Sequence, residues 1–180
     1  DAIVVGVGTV LADDPQLTVR LPGMDEQSPL RIVVDSALRT PLTAGLVQTA
    51  GAWPTWIIAT ETAPVGAEKE LRAAGVEVMR VAAGPEGRVD LAAMLQLFGS
   101  LGLTRILCEG GPALAEALAR ADLVDEVTLI TASHAYDGHE AGIAALGPAL
   151  AAALAGEGAL ARFGEALAGE DHLAFWERTR

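Results

Sequence analysis

One cysteine, Cys108, and one lysine, Lys69, are all that the 180 residues contain of either type. A single thiol excludes an internal disulfide and a zinc site built on cysteines, which suits a reducing, cytoplasmic setting. Positive charge is scarce: 12 Lys and Arg stand against 24 Asp and Glu, a formal net charge of −12. Binding nucleic acid rests on neutralising phosphates with basic side chains, so neither nucleic acid nor an anionic membrane surface is an expected partner. No apolar run reaches the roughly 18 residues of a membrane span. The Ala-rich stretch from Leu146 to Leu160 is broken by Gly147, Pro148, Gly156, Glu157 and Gly158. There is no P-loop, no G-x-S-x-G elbow and no zinc-deaminase signature. In "HAYDGHE" the two histidines, His134 and His139, stand five apart across Gly138, which misses helical metal-ligand spacing, so no metal is expected. An initiator methionine is also lacking. Asp1 opens directly onto a strand-like run, and the expectation is one domain over 1–180 that is incomplete at its N-terminus.

Apolar residues are abundant, 51% of the chain, enough for a sizeable core in one domain of ordinary length. Short, β-branched, mostly continuous runs predict strands over Ala2–Val5, Leu30–Val34, Thr55–Ala59, Val76–Arg80, Arg105–Cys108 and Glu126–Thr131. Continuous rather than alternating runs suit strands covered on both faces, as in a parallel sheet. Helical patterns lie between them. Val65–Ala74 ends at Gly75, a natural C-cap. Leu91–Phe98 places Leu91, Met94, Leu95 and Phe98 on one face. Pro112–Ala121 opens with proline at a first helical position. The alternation predicts an α/β fold: a central, mostly parallel sheet with flanking helices. The tail "HLAFWERTR" reads as a late antiparallel edge strand. Pro22–Pro29 and Arg39–Pro54 read as loops, and 135–169 gives no clear pattern.

Three stretches carry candidate chemistry. "VGVGTVLADDP" puts Gly6 and Gly8 after a strand, but Leu11 stands where a dinucleotide fingerprint needs its third glycine. Asp13-Asp14-Pro15 is turn chemistry, so the glycines read as a loop that something approaches closely, with at most a helical turn over Thr9–Ala12. Thr9 offers a hydroxyl there, Asp13 and Asp14 carboxylates, and Arg20 a guanidinium suited to bidentate phosphate recognition. In "VVDSALRTP", Ser36 and Arg39 follow a strand and could meet a nucleotide phosphate. The sharpest signal is "LCEGGPALAEAL": a strand ending at Cys108, then Glu109-Gly110-Gly111, then a helix start. Helix N-termini present unpaired N–H groups and partial positive charge, and glycines let a phosphate reach them. Glu109 is then a carboxylate at a strand's C-terminal end, able to accept from amide, ring N–H or hydroxyl groups. Cys108 reads as a buried strand residue. An ordinary turn remains an alternative for each stretch.

In this order, "VGVGTVLADDPQLTVR", "RIVVDSALRTP" and "LCEGGPALAEALARADLVDEV" resemble the reductase domain of bacterial riboflavin-biosynthesis deaminase/reductases. The resemblance implies a dihydrofolate-reductase-like fold, a homodimer and a possible preceding deaminase domain. It implies NADPH-dependent reduction of the ribosyl group of 5-amino-6-(5-phosphoribosylamino)uracil to the ribityl product. It places Leu17, Arg20 and Glu109 at this small phosphorylated pyrimidine. It places Thr9, Asp13 and Ser36 at NADPH, and the run Gly110, Gly111, Pro112, Ala113, Leu114, Ala115, Glu116 and Ala117 at or beside the cofactor phosphates. Gly6 and Gly8 are expected to let the loop approach the nicotinamide, and Arg39 to meet the 2′-phosphate. The catalytic proton donor is not assigned. A related NADPH reductase of another heterocycle, and a non-catalytic nucleotide-binding or dimerisation module, stay open as alternatives.

Overall fold

The computed structural model describes residues 1–134, 146–156 and 158–179. The chain divides into two compact units, Asp1–Gly111 and Pro112–Arg180. The first is a parallel sheet of β1 (Ala2–Gly6), β2 (Leu30–Val34), β3 (Thr55–Thr60), β4 (Glu77–Val81) and β5 (Ile106–Gly110) in the order β4-β3-β2-β1-β5. All four strand pairings are parallel. With β1 flanked by β2 and β5, the chain reverses its direction of winding there. In open parallel sheets the crevice at the C-terminal strand ends beside such a point is the usual ligand site.

The central strands are apolar because both faces are covered. Val4, Val5, Ile32, Val33, Ile57 and Ile58 are all at most 2% exposed. Burying each such side chain is worth about 1.5–3 kcal/mol, which is what holds short parallel strands together. Helices α3 (Val65–Ala73) and α4 (Leu91–Ser100) match the sequence expectation. Helix α4 starts where Asp90 accepts from the Ala92 and Ala93 N–H groups, and it buries Met94 and Phe98 four apart. Glu68 of α3 is held below the usual carboxylate range by Arg80 and then Arg72, which both bond it.

Two local expectations are corrected. Val7–Asp13 forms a helix, α1, rather than a glycine loop. Glycine in a helix interior costs about 1 kcal/mol, but here Val7 and Val10 enter the core from this helix. The short helix α2 (Gly45–Gln48) interrupts the expected Arg39–Pro54 loop, and Leu46 and Val47 anchor it in the core.

The second unit contains α5 (Pro112–Arg120), α6 (Pro148–Leu154) and a separate antiparallel sheet. Its strands are β6 (Glu126–Thr131), β7 (Leu160–Ala168) and β8 (Asp171–Arg178), in the order β6-β8-β7. The late antiparallel strand is therefore the middle of its own sheet, and β6 pairs with it rather than with the parallel strands. One face, with Leu160, Ala174 and Trp176, closes a small core. Trp176 donates from Nε1 to Leu154 O at 3.1 Å, so its polar edge is satisfied. No helix among the described residues is long and apolar enough to cross a membrane. Of "HAYDGHE", only His134 lies within the described residues.

Candidate functional site

A cleft of about 520 Å³ opens in the first unit, lined by the segment Asp13–Arg20 with Ile3, Pro29 and Glu109. Its walls come from the end of α1, the loop after it and the C-terminal part of β5. Asp13, Leu17 and Arg20, from one stretch of chain, therefore share a cavity with Glu109, about 90 residues further on. Its charged lining is three carboxylates, Asp13, Asp14 and Glu109, against one cation, Arg20. Acceptors dominate it, and the guanidinium is the one side chain of the lining built for an anion.

Arg20 is exposed and makes no hydrogen bond or ion pair among the described residues, so its donors are available. That sets it apart from Arg72, Arg80, Arg120, Arg162 and Arg178, which all bond acidic side chains. Asp14 is committed: its Oδ1 accepts from the Gly45 N–H at 2.8 Å. Leu17 sits at φ 52° and Asp14 at φ 41°, the left-handed region that side chains seldom occupy. This segment is held by its surroundings rather than by its own preference.

Beyond Glu109 the strand turns through Gly110, at φ 97°, a conformation glycine alone takes easily. Gly111 then donates its N–H to Thr9 Oγ1 at 3.0 Å. Thr9 and Gly111, expected at the cofactor from separate motifs, are thus hydrogen-bonded to each other. A Cβ on Gly111 would lie 2.9 Å from Thr9 Oγ1, so this contact leaves no room for a side chain. Asp13 follows Thr9 by about one helical turn on α1. Gly8 has nothing within 4 Å of where its Cβ would be. Its expected close approach is therefore not to another of the described residues.

Ser36 lies just past β2. Its Oγ accepts from the Val89 N–H at 3.1 Å and retains its own hydrogen to donate. Arg39 is exposed and unpaired among the described residues. Cys108 is half-buried in β5, and burial pushes its thiol above the usual range, so it is protonated at neutral pH.

Of the run from Pro112 to Ala117, Leu114 is buried and Ala113 is exposed. Glu116 is occupied: its carboxylate accepts from Ala149 N and Leu150 N, at 3.0 and 3.1 Å, at the start of α6. These contacts, the Ala149 N–H foremost, hold it below the usual carboxylate range. Its side chain does structural work, which leaves the main chain as what the first turn of α5 can offer a ligand.

Sequence reasoning gives no notice of two buried charges. Arg31 on β2 is 1% exposed and Asp35, just beyond that strand, 0%. Asp35 Oδ2 accepts from Thr40 N and Oγ1, fixing the turn that carries Ser36 and Arg39. Arg31 donates only to neutral oxygens, and burial pulls its pKa below the usual guanidinium value. A charged letter inside the apolar run "LRIVVD" was the available signal.

A family model described as the RibD C-terminal domain matches residues 1–138. The chain is 39% identical over 137 residues to a 2,5-diamino-6-ribosylamino-4(3H)-pyrimidinone 5′-phosphate reductase of Archaeoglobus fulgidus, covering 72% of this chain and 60% of that one. It is 40% identical over 140 residues to the riboflavin biosynthesis protein RibD of Actinobacillus pleuropneumoniae, covering 78% of this chain and 36% of that protein. The chain thus spans less than two thirds of each of these relatives. Among solved structures, Acinetobacter baumannii RibD (form 1) superposes with a TM-score of 0.71 at 24% identity, over 99% of this chain and 47% of that one. That likeness extends the α/β fold to the region after residue 138.

Proposed function

Since the chain belongs to the RibD C-terminal domain family, we propose that it is an NADPH-dependent reductase of a ribosylaminopyrimidine 5′-phosphate in riboflavin biosynthesis. The relatives named as reductases act, by name, on such a compound. What carries the reading is the convergence of Asp13, Leu17, Arg20 and Glu109 on one cleft. Glu109 lies two residues before the Gly111 turn that Thr9 closes. The natural ring is the uracil or its diamino counterpart.

Arg20 takes the phosphate, Glu109 accepts from ring N–H or amino groups, and Leu17 packs on the apolar part. NADPH supplies the hydride that, with one proton, opens the ribosyl group to ribityl; the protein supplies position and electrostatics. The residues present fit such a cofactor. Nothing among the described residues lies within 4 Å of where a Cβ on Gly110 would be, so a phosphate can come close to the main chain there, while the Gly111 N–H is already given to Thr9. Thr9 borders that turn from α1 and Asp13 follows it on the same helix, and Ser36 and Arg39 offer a hydroxyl and a cation for the adenosine end with its 2′-phosphate. A lone thiol supports a reducing, cytoplasmic setting.

Calorimetry with NADPH and NADH tests this directly. Binding at least about tenfold tighter for NADPH is expected, followed by turnover of the uracil or its diamino counterpart. A folded protein that binds neither nucleotide overturns the assignment and favours the non-catalytic module.

The antiparallel sheet turns an apolar face outward. Ile130 and Phe163 are 62% and 61% exposed, and Phe163 packs on Phe175 at 5.9 Å between ring centroids. The partner we propose for it is a second copy of the chain, giving a homodimer. Phe163→Glu is expected to convert a dimer to a monomer in light scattering. A wild-type monomer at about 100 µM, far above the Kd of stable complexes, would remove the proposal.

A further inference from the structure

The cleft wall from Asp14 to Arg20 has no helix or strand of its own, yet it carries Leu17 and Arg20. Two of its residues, Asp14 and Leu17, stand at positive φ. Such backbone persists only where neighbours fix it. Two of its fixings lead to the same stretch of chain. Asp14 Oδ1 accepts from Gly45 N, and Gln16 O accepts from Arg31 Nη1 at 3.2 Å. Arg31 in turn donates to Leu46 O and Trp53 O, at 3.1 and 2.8 Å, and to Thr49 and Thr55 Oγ1.

Arg31 is a costly way to fill a central strand. It has no carboxylate partner, and its Nε has no acceptor among the described residues. A buried charge satisfied only by neutral dipoles is seldom the most stable choice; apolar side chains of similar volume often do as well or better. Its reach is what an apolar residue lacks: one guanidinium bonds the Gln16 carbonyl and the 46–55 segment together.

We infer that Arg31 and Asp14 are positioning residues that tether the Asp14–Leu17 wall and thereby set where Leu17 and Arg20 meet the phosphorylated substrate. This rests on the function proposed above. Arg31 does not line the cleft, so it acts through Gln16 rather than on the substrate. Asp14 acts through the Gly45 N–H.

The test compares Asp14→Ala, Asp14→Asn, Arg31→Lys, Arg31→Met and Thr55→Val by steady-state kinetics and by hydrogen exchange of residues 14–20. Asp14→Ala is expected to raise KM for the phosphorylated pyrimidine about tenfold, with KM for NADPH and kcat within about twofold. Asn keeps an acceptor and is expected to restore KM. Arg31→Met is expected to raise KM by a similar or larger factor, and Arg31→Lys by less. Thr55→Val removes an Arg31 contact on β3 and is expected to lower Tm without moving KM. Exchange across 14–20 is expected to quicken in Asp14→Ala and Arg31→Met alone. If Arg31→Met fails to fold, Asp14→Ala still decides, because its side chain is exposed. An active wild type whose Asp14→Ala variant keeps both KM and exchange unchanged overturns the inference alone. KM shifts that merely track Tm, Thr55→Val included, overturn it as well. A wild type that binds no phosphorylated pyrimidine overturns the function and the substrate half of the inference; quickened exchange in Asp14→Ala would still uphold the tether.

Discussion

Replacing Arg20 with alanine is expected to raise KM for the phosphorylated pyrimidine by about 10–100-fold, and to leave KM for the dephosphorylated compound within about threefold. The magnitude follows from charge-assisted hydrogen bonds, each net about 1.5–3 kcal/mol, against 1.4 kcal/mol per decade in binding. Exposure pulls the effect toward the lower end, because solvent and salt screen an exposed pair. No neighbour compensates: the other charged residues of the cleft, Asp13, Asp14 and Glu109, are acidic. With Arg20 gone, no charged side chain of the lining would attract a phosphate. Lysine in its place keeps the charge but not the planar fork, and is expected to recover part of the loss. The effect should shrink as salt is raised from 50 to 500 mM, which the same kinetics measure. Equal losses on both substrates would show that Arg20 holds the wall of the cleft rather than the phosphate. No loss on either would move the phosphate elsewhere and reopen the alternative of another heterocycle.

How far the sequence discloses this molecule depends on what kind of force shapes each part. The parallel strands are legible because burial on both faces writes continuous runs such as "TWIIAT", with Ile57, Ile58 and Ala59 all fully buried. Helix α4 is legible for the same reason, through Met94 and Phe98 on its buried face. Helix α1 is not. Two glycines and a following Asp-Asp-Pro argue locally for a loop, and only burial of Val7 and Val10 overrides them. Strand β7 is also hidden: apart from Leu160 and Gly164 its residues are exposed, so pairing with β8 rather than an apolar face defines it. In the candidate site, the types of Arg20 and Glu109 suggest their chemistry, but the family's motifs, not spacing, single them out. Leu17 has no chemical signature at all. The Gln16 carbonyl could not be read from any letter, since every residue has one. Arg31 stands out in an apolar strand, yet its partners are main-chain oxygens and hydroxyls that come near it only on folding.

Gly111→Ala is expected to weaken NADPH binding by about tenfold or more while the protein stays folded. The added Cβ would sit 2.9 Å from Thr9 Oγ1, closer than such atoms approach, so one side must give. Gly111 has no positive φ, so alanine's backbone preferences are not the obstacle; the Thr9 hydroxyl is. Thr9 can rotate its oxygen away only by abandoning the Gly111 N–H it accepts from at 3.0 Å. Alternatively the Gly110–Gly111 turn shifts, and with it the chain leading into α5. Either route costs about 1–3 kcal/mol in packing, plus about 0.5–1.5 kcal/mol for the lost hydrogen bond. At 1.4 kcal/mol per decade, displacing a cofactor-binding turn by that much is worth tenfold or more in Kd. Thr9→Ala removes the acceptor but creates space, so the double variant Gly111→Ala/Thr9→Ala is expected to bind NADPH better than Gly111→Ala alone. That non-additivity is the signature of a direct steric conflict between neighbours. Calorimetric NADPH titrations of the four proteins, with Tm alongside, decide it. If Gly111→Ala lowers Tm but leaves NADPH affinity intact, the Thr9–Gly111 contact is a structural clasp and the cofactor lies elsewhere. If affinity falls and the Thr9 substitution restores part of it, the turn after β5 is where the cofactor is held.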